Sequence, residues 1–211
     1  MLGPLYRDQS FKYIPLPEGS PSARSSTYKE LGFDKWLPSD WSLKYAHYDP
    51  EFTTYTWGDR TGIRTYWARQ LIPGDFVFFI SSLQHKFGIR PLWSYCIIGY
   101  FHLSHLPMKI TYPIPPRIAR RFPNNAHFTR RGRNGESFIL FQGNKKNSRL
   151  LNRAVVFSQG SKPNNLALKI VPKPHPENPR WWQCVVNRRG VRTLLDAIVS
   201  GQRSMERLSH S

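Results

Sequence analysis

Apolar residues fall into short runs along this chain, with polar and turn-forming residues between them. The two longest runs, residues 76–82 and 94–103, are nearly continuous, and this pattern is typical of strands buried on both faces, as in a closed barrel. A Pro-Gly-Asp turn precedes the first of them. Shorter runs with strand character predict four further strands, at residues 55–57, 109–112, 138–142 and 154–158.

Helical periodicity is limited to two segments. In residues 59–71 the apolar positions from Ile63 onward recur at i, i+3, i+4 and i+8, which predicts a helix that Asp59 caps at its start. A basic segment at residues 189–208 predicts a terminal helix. Because helices are few, the sequence favours an α+β fold, a small mixed β-barrel of five to seven strands, over alternating βαβ units.

Changes in composition divide the chain into three segments. Residues 1–30 are rich in Pro, Ser, Gly and Tyr and are predicted to form an extended arm packed on the domain. Residues 31–170 carry the strand pattern and are predicted to form the barrel domain. Residues 171–211 are predicted to form a proline-rich spacer and a basic helix packed on the same domain. The chain of 211 residues is long enough for one good core.

Charge is the strongest bulk signal, because the formal net charge is +18. Residues 1–116 contain 12 Lys and Arg against 9 Asp and Glu, whereas residues 117–211 contain 19 against 4. Such a field attracts polyanions, so DNA or RNA is the expected partner. The alternative interpretation is a basic surface that contacts no nucleic acid.

Membrane and secretory classes are not expected. No apolar run reaches the length of a membrane span, and the first residues lack the pattern of a secretory signal, so we expect a cytoplasmic protein with no membrane partner. Of the two cysteines, Cys96 lies in an apolar run and is expected to be a buried thiol rather than half of a disulfide with Cys184. The oligomeric state is left open.

Aromatic and polar residues around the predicted strands form a candidate pocket for a nucleobase. Stacking on an aromatic face contributes about 1–3 kcal/mol per base, and an extruded base also needs polar groups that read its edge. The alternative is that most of the rings belong to the core. The candidate rings are Tyr55, Trp57 and Trp93, and the candidate polar groups are Asp49, Asn125 and His127.

Basic side chains on either side of the Asn-Asn-Ala-His-Phe segment and toward the end of the chain are the candidate contacts to the nucleic-acid backbone. Arginine suits phosphate because its planar fork donates two parallel hydrogen bonds. A solvated basic loop is the alternative. The candidates are Arg117, Arg120, Arg121, Arg130, Arg131, Arg133, Lys145, Lys146, Arg180, Arg188 and Arg189.

Catalysis is the rival interpretation of the acidic residues. Asp49, Glu51 and Asp59 lie close in sequence, and with His127 they offer ligands for Mg²⁺ in phosphodiester cleavage. A turn before a proline explains Asp49, and helix capping explains Asp59. No phosphate-binding loop, zinc motif or dinucleotide glycine set occurs. We therefore assign no catalytic residue, no metal ligand and no cofactor from the sequence.

Several motifs resemble the nucleotide-modification-associated domains, which are grouped in the PUA-like superfamily with the EVE, YTH and ASCH domains. They are HYDPEFTTYTWGD, LIPGDFVFFISSL, YCIIGYFHL, NNAHF and FILFQG, and the resemblance covers roughly residues 11–160. It implies a compact β-barrel that binds RNA or DNA and often recognises a modified base in an aromatic pocket. Trp57 stands where many relatives carry Tyr, which changes the shape of the implied pocket.

Together these patterns predict a nucleic-acid-binding domain that is not an enzyme. It would hold an unpaired or flipped base, modified or not, in the aromatic pocket while basic residues hold the phosphate backbone. Two alternatives stay open. One is a metal-dependent nuclease or base-modification enzyme acting on nucleic acid, and the other is a basic accessory protein of a ribonucleoprotein or defence system.

Overall fold

A computed structural model describes residues 3–61, 69–88, 92–170 and 188–206 of the chain. The body of the helix predicted at residues 59–71, the proline-rich spacer and Arg180 lie outside the described residues. Within the described part, strands predominate and helices are few. The predicted α+β class is confirmed, and the fold is consistent with a small β-barrel.

The described residues contain eleven strands. They are β1 (Gly3–Leu5), β2 (Leu16–Pro17), β3 (Ala46–His47), β4 (Thr56–Arg60), β5 (Phe76–His85), β6 (Trp93–His102), β7 (Met108–Thr111), β8 (Ser137–Gln142), β9 (Arg149–Val156), β10 (Ser158–Gln159) and β11 (Lys162–Pro163). The sheets have the strand orders β1-β5-β6-β9 and β4-β8-β7, and the short pairs are β2-β3 and β10-β11. Of these strands, β4 to β9 have four or more residues each, which agrees with the predicted five to seven.

Four α-helices and two short 3₁₀ turns complete the described part. The helices are α1 (Pro116–Ala119), α2 (Ala126–Thr129), α3 (Asn165–Ile170) and α4 (Arg188–Glu206), and the 3₁₀ turns are Asp34–Trp36 and Ser39–Trp41. The position of α4 confirms the predicted terminal helix. None of the helices in the described ranges is long and apolar enough to cross a membrane.

The predicted helix start at Asp59 is wrong. Asp59 lies in β4, directly opposite Ile139 of β8 in an antiparallel pair. The helical period in the sequence begins only at Ile63, and its extension back to Asp59 treated that residue as a cap. Pairing with β8 decides the conformation instead, because partner strands override a weak local preference.

The chain divides into two compact units. The first contains residues 14–77 and 100–150, and the second contains residues 2–13, 78–99 and 151–211. The segments predicted from composition, an arm at 1–30, a barrel domain at 31–170 and a spacer with a basic helix at 171–211, stay a prediction.

In the first unit, the sheet β4-β8-β7 packs one face against α1 and α2. Side chains alternate along a strand, so Phe138 and Leu140 of β8 share a face. They join a buried cluster completed by Ile110, Tyr112, Ala119, Phe122 and Phe128. This packing fixes α2, and with it His127, against the sheet.

In the second unit, β1 pairs in parallel with β5, so that Gly3 lies opposite Leu83. Cys96 of β6 is a free, buried cysteine, as predicted. Burial raises the pKa of its thiol to about 12, so it is uncharged at neutral pH.

Candidate functional site

A cleft of about 310 Å³ opens in the first unit. We call it the histidine cleft, because two histidines contribute to its wall. Its lining residues come from β2, β3, β4, α2 and the segments that follow β2 and α2. They are Pro17, Glu18, Gly19, Ser20, His47, Gly58, Asp59, Arg60, His127 and Arg130.

His127 is held in place by its own helix and by a glycine. Asn125 precedes α2, and its side-chain Oδ1 accepts the backbone N–H of His127 at 2.9 Å. The imidazole stacks on the ring of Phe138 at 4.7 Å between centroids. A Cβ on Gly58 would lie 2.4 Å from Cδ2 of His127, so β4 admits the ring only because position 58 has no side chain.

Asp49 is a buried carboxylate fixed by two donors. Its Oδ1 accepts the Asn125 amide Nδ2 at 2.7 Å and the Gly58 backbone N–H at 3.0 Å. Its Oδ2 lies 3.5 Å from Nε2 of His127. The side chain is 4% exposed, so the carboxylate interacts with these neighbours rather than with solvent.

Glu51 closes the loop before β4. It is fully buried and accepts the backbone N–H groups of Thr53 at 2.8 Å and Thr54 at 3.0 Å. The hydroxyl of Thr56 donates to it at 2.8 Å and also accepts from Asn125 at 3.2 Å. Its carboxylate therefore organises a turn, and this role explains an acid that the sequence also offered as a metal ligand.

His47 and Glu18 form a pair in the lining of the cleft. The antiparallel pairing of β2 with β3 brings them together, and Nδ1 of His47 lies 2.7 Å from Oε2 of Glu18. Burial raises the pKa of Glu18, but hydrogen bonds from His47 and the Ser20 backbone and the charges of His47 and Arg130 outweigh it. The pKa of Glu18 is therefore lowered, and the group is anionic at neutral pH.

The two histidine rings and Asp49 converge. The His47 and His127 centroids are 5.0 Å apart in an edge-to-face arrangement. His47, Asp49 and His127 each offer one metal-ligating atom, and these three atoms lie within 4.8 Å of one another. Among the described residues, this is the group of His, Cys, Asp and Glu side chains close enough to hold a metal ion.

Arg130 is buried, although the sequence predicted that it contacts a nucleic-acid backbone at the surface. Its side chain is buried, and Nη2 donates to Oε1 of Glu136, while the guanidinium lies 5.6 Å from the ring centroid of Tyr112. Burial with an acidic partner stabilises the arginine there, because an unpaired buried charge is costly. Arg130 thus contributes to the wall of the cleft rather than to the exposed basic surface.

The structure brings Asp49, Asn125 and His127 together but does not place Trp57 among them. Gly58 faces His127, so the next residue back, Trp57, points to the opposite face of β4. There it stacks on Phe141 at 4.5 Å between centroids. Trp57 and His127, predicted to share one pocket, therefore lie on opposite faces of β4.

The other two predicted rings also lie elsewhere. Tyr55 has a positive φ of 57° and meets Phe101 edge-on at 5.8 Å. Trp93 is the first residue of β6, belongs to the second unit and meets Tyr95 edge-on at 5.0 Å. Neither ring lines the histidine cleft.

Most of the predicted backbone contacts in the described part are exposed. The backbone N–H of Arg131 donates to the carbonyl of Ser20 at 2.9 Å, so this basic segment borders the cleft. Arg188 and Arg189 are the first residues of α4. The exposed candidates are Arg117, Arg120, Arg121, Arg131, Arg133, Lys145 and Lys146.

Sequence reasoning missed His47 and Glu18. The signal for His47 was its spacing from Asp49, because residues two apart in an extended segment point to the same side. No local signal marked Glu18, which lies 29 positions from its partner and reaches it only through strand pairing.

A comparison with models of protein families assigns the chain to a family. The model of nucleotide modification associated domain 3 matches residues 1–197. The chain belongs to this family. A search of the curated proteins and a search of the solved structures found no significant match.

Membership in the nucleotide modification associated domain 3 family confirms the resemblance predicted from the motifs. It gives the chain a role related to nucleic-acid modification. The family match extends beyond residues 11–160 into α4 and so includes segments from both units. The grouping with the PUA-like superfamily stays a prediction.

Proposed function

We propose that this protein binds DNA or RNA and holds an unpaired or flipped base in the histidine cleft. The observation that carries the proposal is the position of the cleft beside exposed arginines, through the contact between Arg131 and Ser20. Family membership supplies the nucleic-acid context. The proposal includes recognition of a modified base, since binding of modified bases fits a family associated with nucleotide modification.

The cleft offers the chemistry that a base requires. His47 is partly exposed, and histidine is one of the side chains on which unstacked bases stack. Glu18 supplies an acceptor and Arg60 supplies donors in the lining of the cleft, as needed to read the polar edge of a flipped base. The volume of about 310 Å³ lies near the lower end of the range for small-ligand pockets, about 300–1,000 Å³.

This assignment moves the base from the predicted ring at Trp57 to the other face of β4. Trp57 already stacks on Phe141, whereas the histidine cleft is open. The exposed arginines would hold phosphates on either side of the bound base, and contacts of that kind fix register without reading sequence.

A substitution at Gly19 tests the cleft directly. Gly19 lines the cleft, and a Cβ built there meets nothing within 4 Å. Gly19→Trp should therefore fill the cleft without disturbing the fold, and Gly19→Ala is the matched control. Binding is measured by fluorescence anisotropy with matched modified and unmodified single- and double-stranded oligonucleotides.

We expect Gly19→Trp to abolish any preference between matched modified and unmodified strands, while Gly19→Ala retains it. Equal preference in both variants would contradict a base in the cleft. If no oligonucleotide binds more tightly than about 10⁻⁴ M at physiological salt, nucleic-acid binding itself is excluded as a function. An accessory protein that uses only its charge would bind every strand alike in both variants.

A further inference from the structure

We propose that His47, Asp49 and His127 form a binding site for a divalent first-row transition-metal ion in the wall of the histidine cleft. The inference stands on these three side chains and does not require that the protein bind nucleic acid.

The spacing of Asp49 and His127 suits a single ion, and His47 lies close enough to join them. Metal–nitrogen and metal–oxygen bonds of about 2.0–2.2 Å place neighbouring ligand atoms roughly 3–3.5 Å apart. Nε2 of His127 and Oδ2 of Asp49 are 3.5 Å apart. That distance exceeds the usual hydrogen-bond range of about 2.7–3.2 Å. The partly exposed His47 completes the set, with its ligand atom within 4.8 Å of the other two.

Two of the three ligands are oriented by outer partners, as in known metal sites. Glu18 engages Nδ1 of His47, which leaves Nε2 of His47 as the nitrogen available to a metal. Carboxylate–histidine–metal arrangements of this kind fix the ring and raise its basicity. The Asn125 amide and the Gly58 N–H hold Asp49 in the same way.

His127 provides an independent observation. Its side chain is 6% exposed, and Nδ1 has no hydrogen-bond partner among the described residues. Nε2 of His127 lies 3.5 Å from Oδ2 of Asp49. Buried polar atoms are nearly always paired, so a buried ring whose Nδ1 has no partner and whose Nε2 lies 3.5 Å from a carboxylate oxygen is poorly hydrogen-bonded. A metal bound at Nε2 would replace the long contact between that nitrogen and Asp49 with a strong interaction.

The ligand types select the class of metal. Two imidazoles and one carboxylate suit Zn²⁺, Fe²⁺, Mn²⁺ or Co²⁺, whereas Mg²⁺ and Ca²⁺ prefer oxygen ligands alone. Three protein ligands leave coordination positions open for water or a ligand. Since both histidines line the cleft, those positions would face it. The nearby cation Arg130 does not oppose the ion strongly, because Glu136 neutralises it.

The test uses untagged full-length protein stripped with a chelator. Co²⁺ is titrated by visible absorption and Zn²⁺ by calorimetry, with circular dichroism to verify that each variant is folded. We expect one ion per chain. His47→Ala should lower the affinity by more than about 100-fold, and Glu18→Gln by about 10–100-fold. His105→Ala is the matched control, because His105 is exposed and lies outside the cluster, and it should bind as the wild type does.

Three outcomes would overturn the proposal. They are no saturable binding of either ion, wild-type affinity in a folded His47→Ala protein, and an equal loss of affinity in His105→Ala. If His47→Ala does not fold, His47→Gln with Glu18→Gln provides the same comparison. A failure here leaves base binding untouched, because the Gly19 variants report on the cleft without altering a metal ligand.

Discussion

At the residue scale, the imidazole of His127 packs directly against the backbone of Gly58. A β-carbon at position 58 would lie too close to the imidazole, which packs between β4 and the ring of Phe138. Asp49 then binds the Gly58 N–H and lies beside the ring. A glycine in a strand usually weakens it, and a close approach of another group is a common reason for its presence.

Gly58→Ala should therefore destabilise the protein, by about 1–3 kcal/mol, because the added methyl group overpacks the site against His127. The free energy of unfolding is measured by urea titration. Gly19→Ala is the control, since its methyl group enters open space, and it should change stability by less than about 0.5 kcal/mol.

The double variant Gly58→Ala with His127→Ala separates crowding from a general strand effect. Removal of the ring should recover part of the loss, which appears as a coupling energy between the two positions. Additive losses would show that the contact between position 58 and the ring is not the cause.

At the scale of elements, Asn125 joins α2 to the loop before β4. Its Oδ1 caps α2, and its Nδ2 donates to Asp49 and to Thr56. The residue is fully buried, so both ends of the amide are used within the fold. Asn125, predicted to read a base edge, acts in the structure as a positioning residue for Asp49 and His127.

Asn125→Ala should cost about 2–4 kcal/mol of stability. Loss of a helix cap accounts for about 1 kcal/mol, and the rest comes from a buried carboxylate that loses a donor. Thermal and urea unfolding measure the change, with the exposed neighbour in Asn124→Ala as the control. A cost for Asn125→Ala no larger than that of the control would contradict this role.

At the scale of the whole molecule, charge dominates. The net charge of +18 is concentrated after residue 116, and five arginines between positions 117 and 133 are exposed. Buried Arg130 is different, because Glu136 already neutralises it. The exposed set attracts any polyanion, whereas discrimination among nucleic acids would fall to the cleft under the proposed function.

The triple variant Arg117→Ala, Arg120→Ala, Arg121→Ala should weaken nucleic-acid binding similarly for all sequences. The slope of log affinity against log salt should become shallower by roughly one for each lost phosphate contact. Binding is measured between about 50 and 200 mM salt. The single variant Lys29→Ala, an exposed cation outside the segment, should leave the slope nearly unchanged. An unchanged slope in the triple variant would exclude these arginines as phosphate contacts.

The longer strands were predictable because a buried strand leaves a continuous apolar record in the sequence, as residues 76–82 and 94–103 do. The strand conformation of Asp59 was not predictable, since the pairing of Asp59 with Ile139 joins positions 80 apart in the chain. For the same reason Glu18 could not be assigned to His47.

The sequence by itself determined the strand-rich α+β class, the buried thiol of Cys96, the basic character after residue 116 and the motifs that the family match bears out. These properties reside in composition and in local periodicity, which do not depend on distant contacts. Only the tertiary structure decided which polar residues share a site. Strand alternation separated Trp57 from His127, and the pairing of β2 with β3 added Glu18 and His47 to the cleft. The physical reason is that the face to which a side chain points is set by the partner strand and its register, and a one-residue shift reverses it.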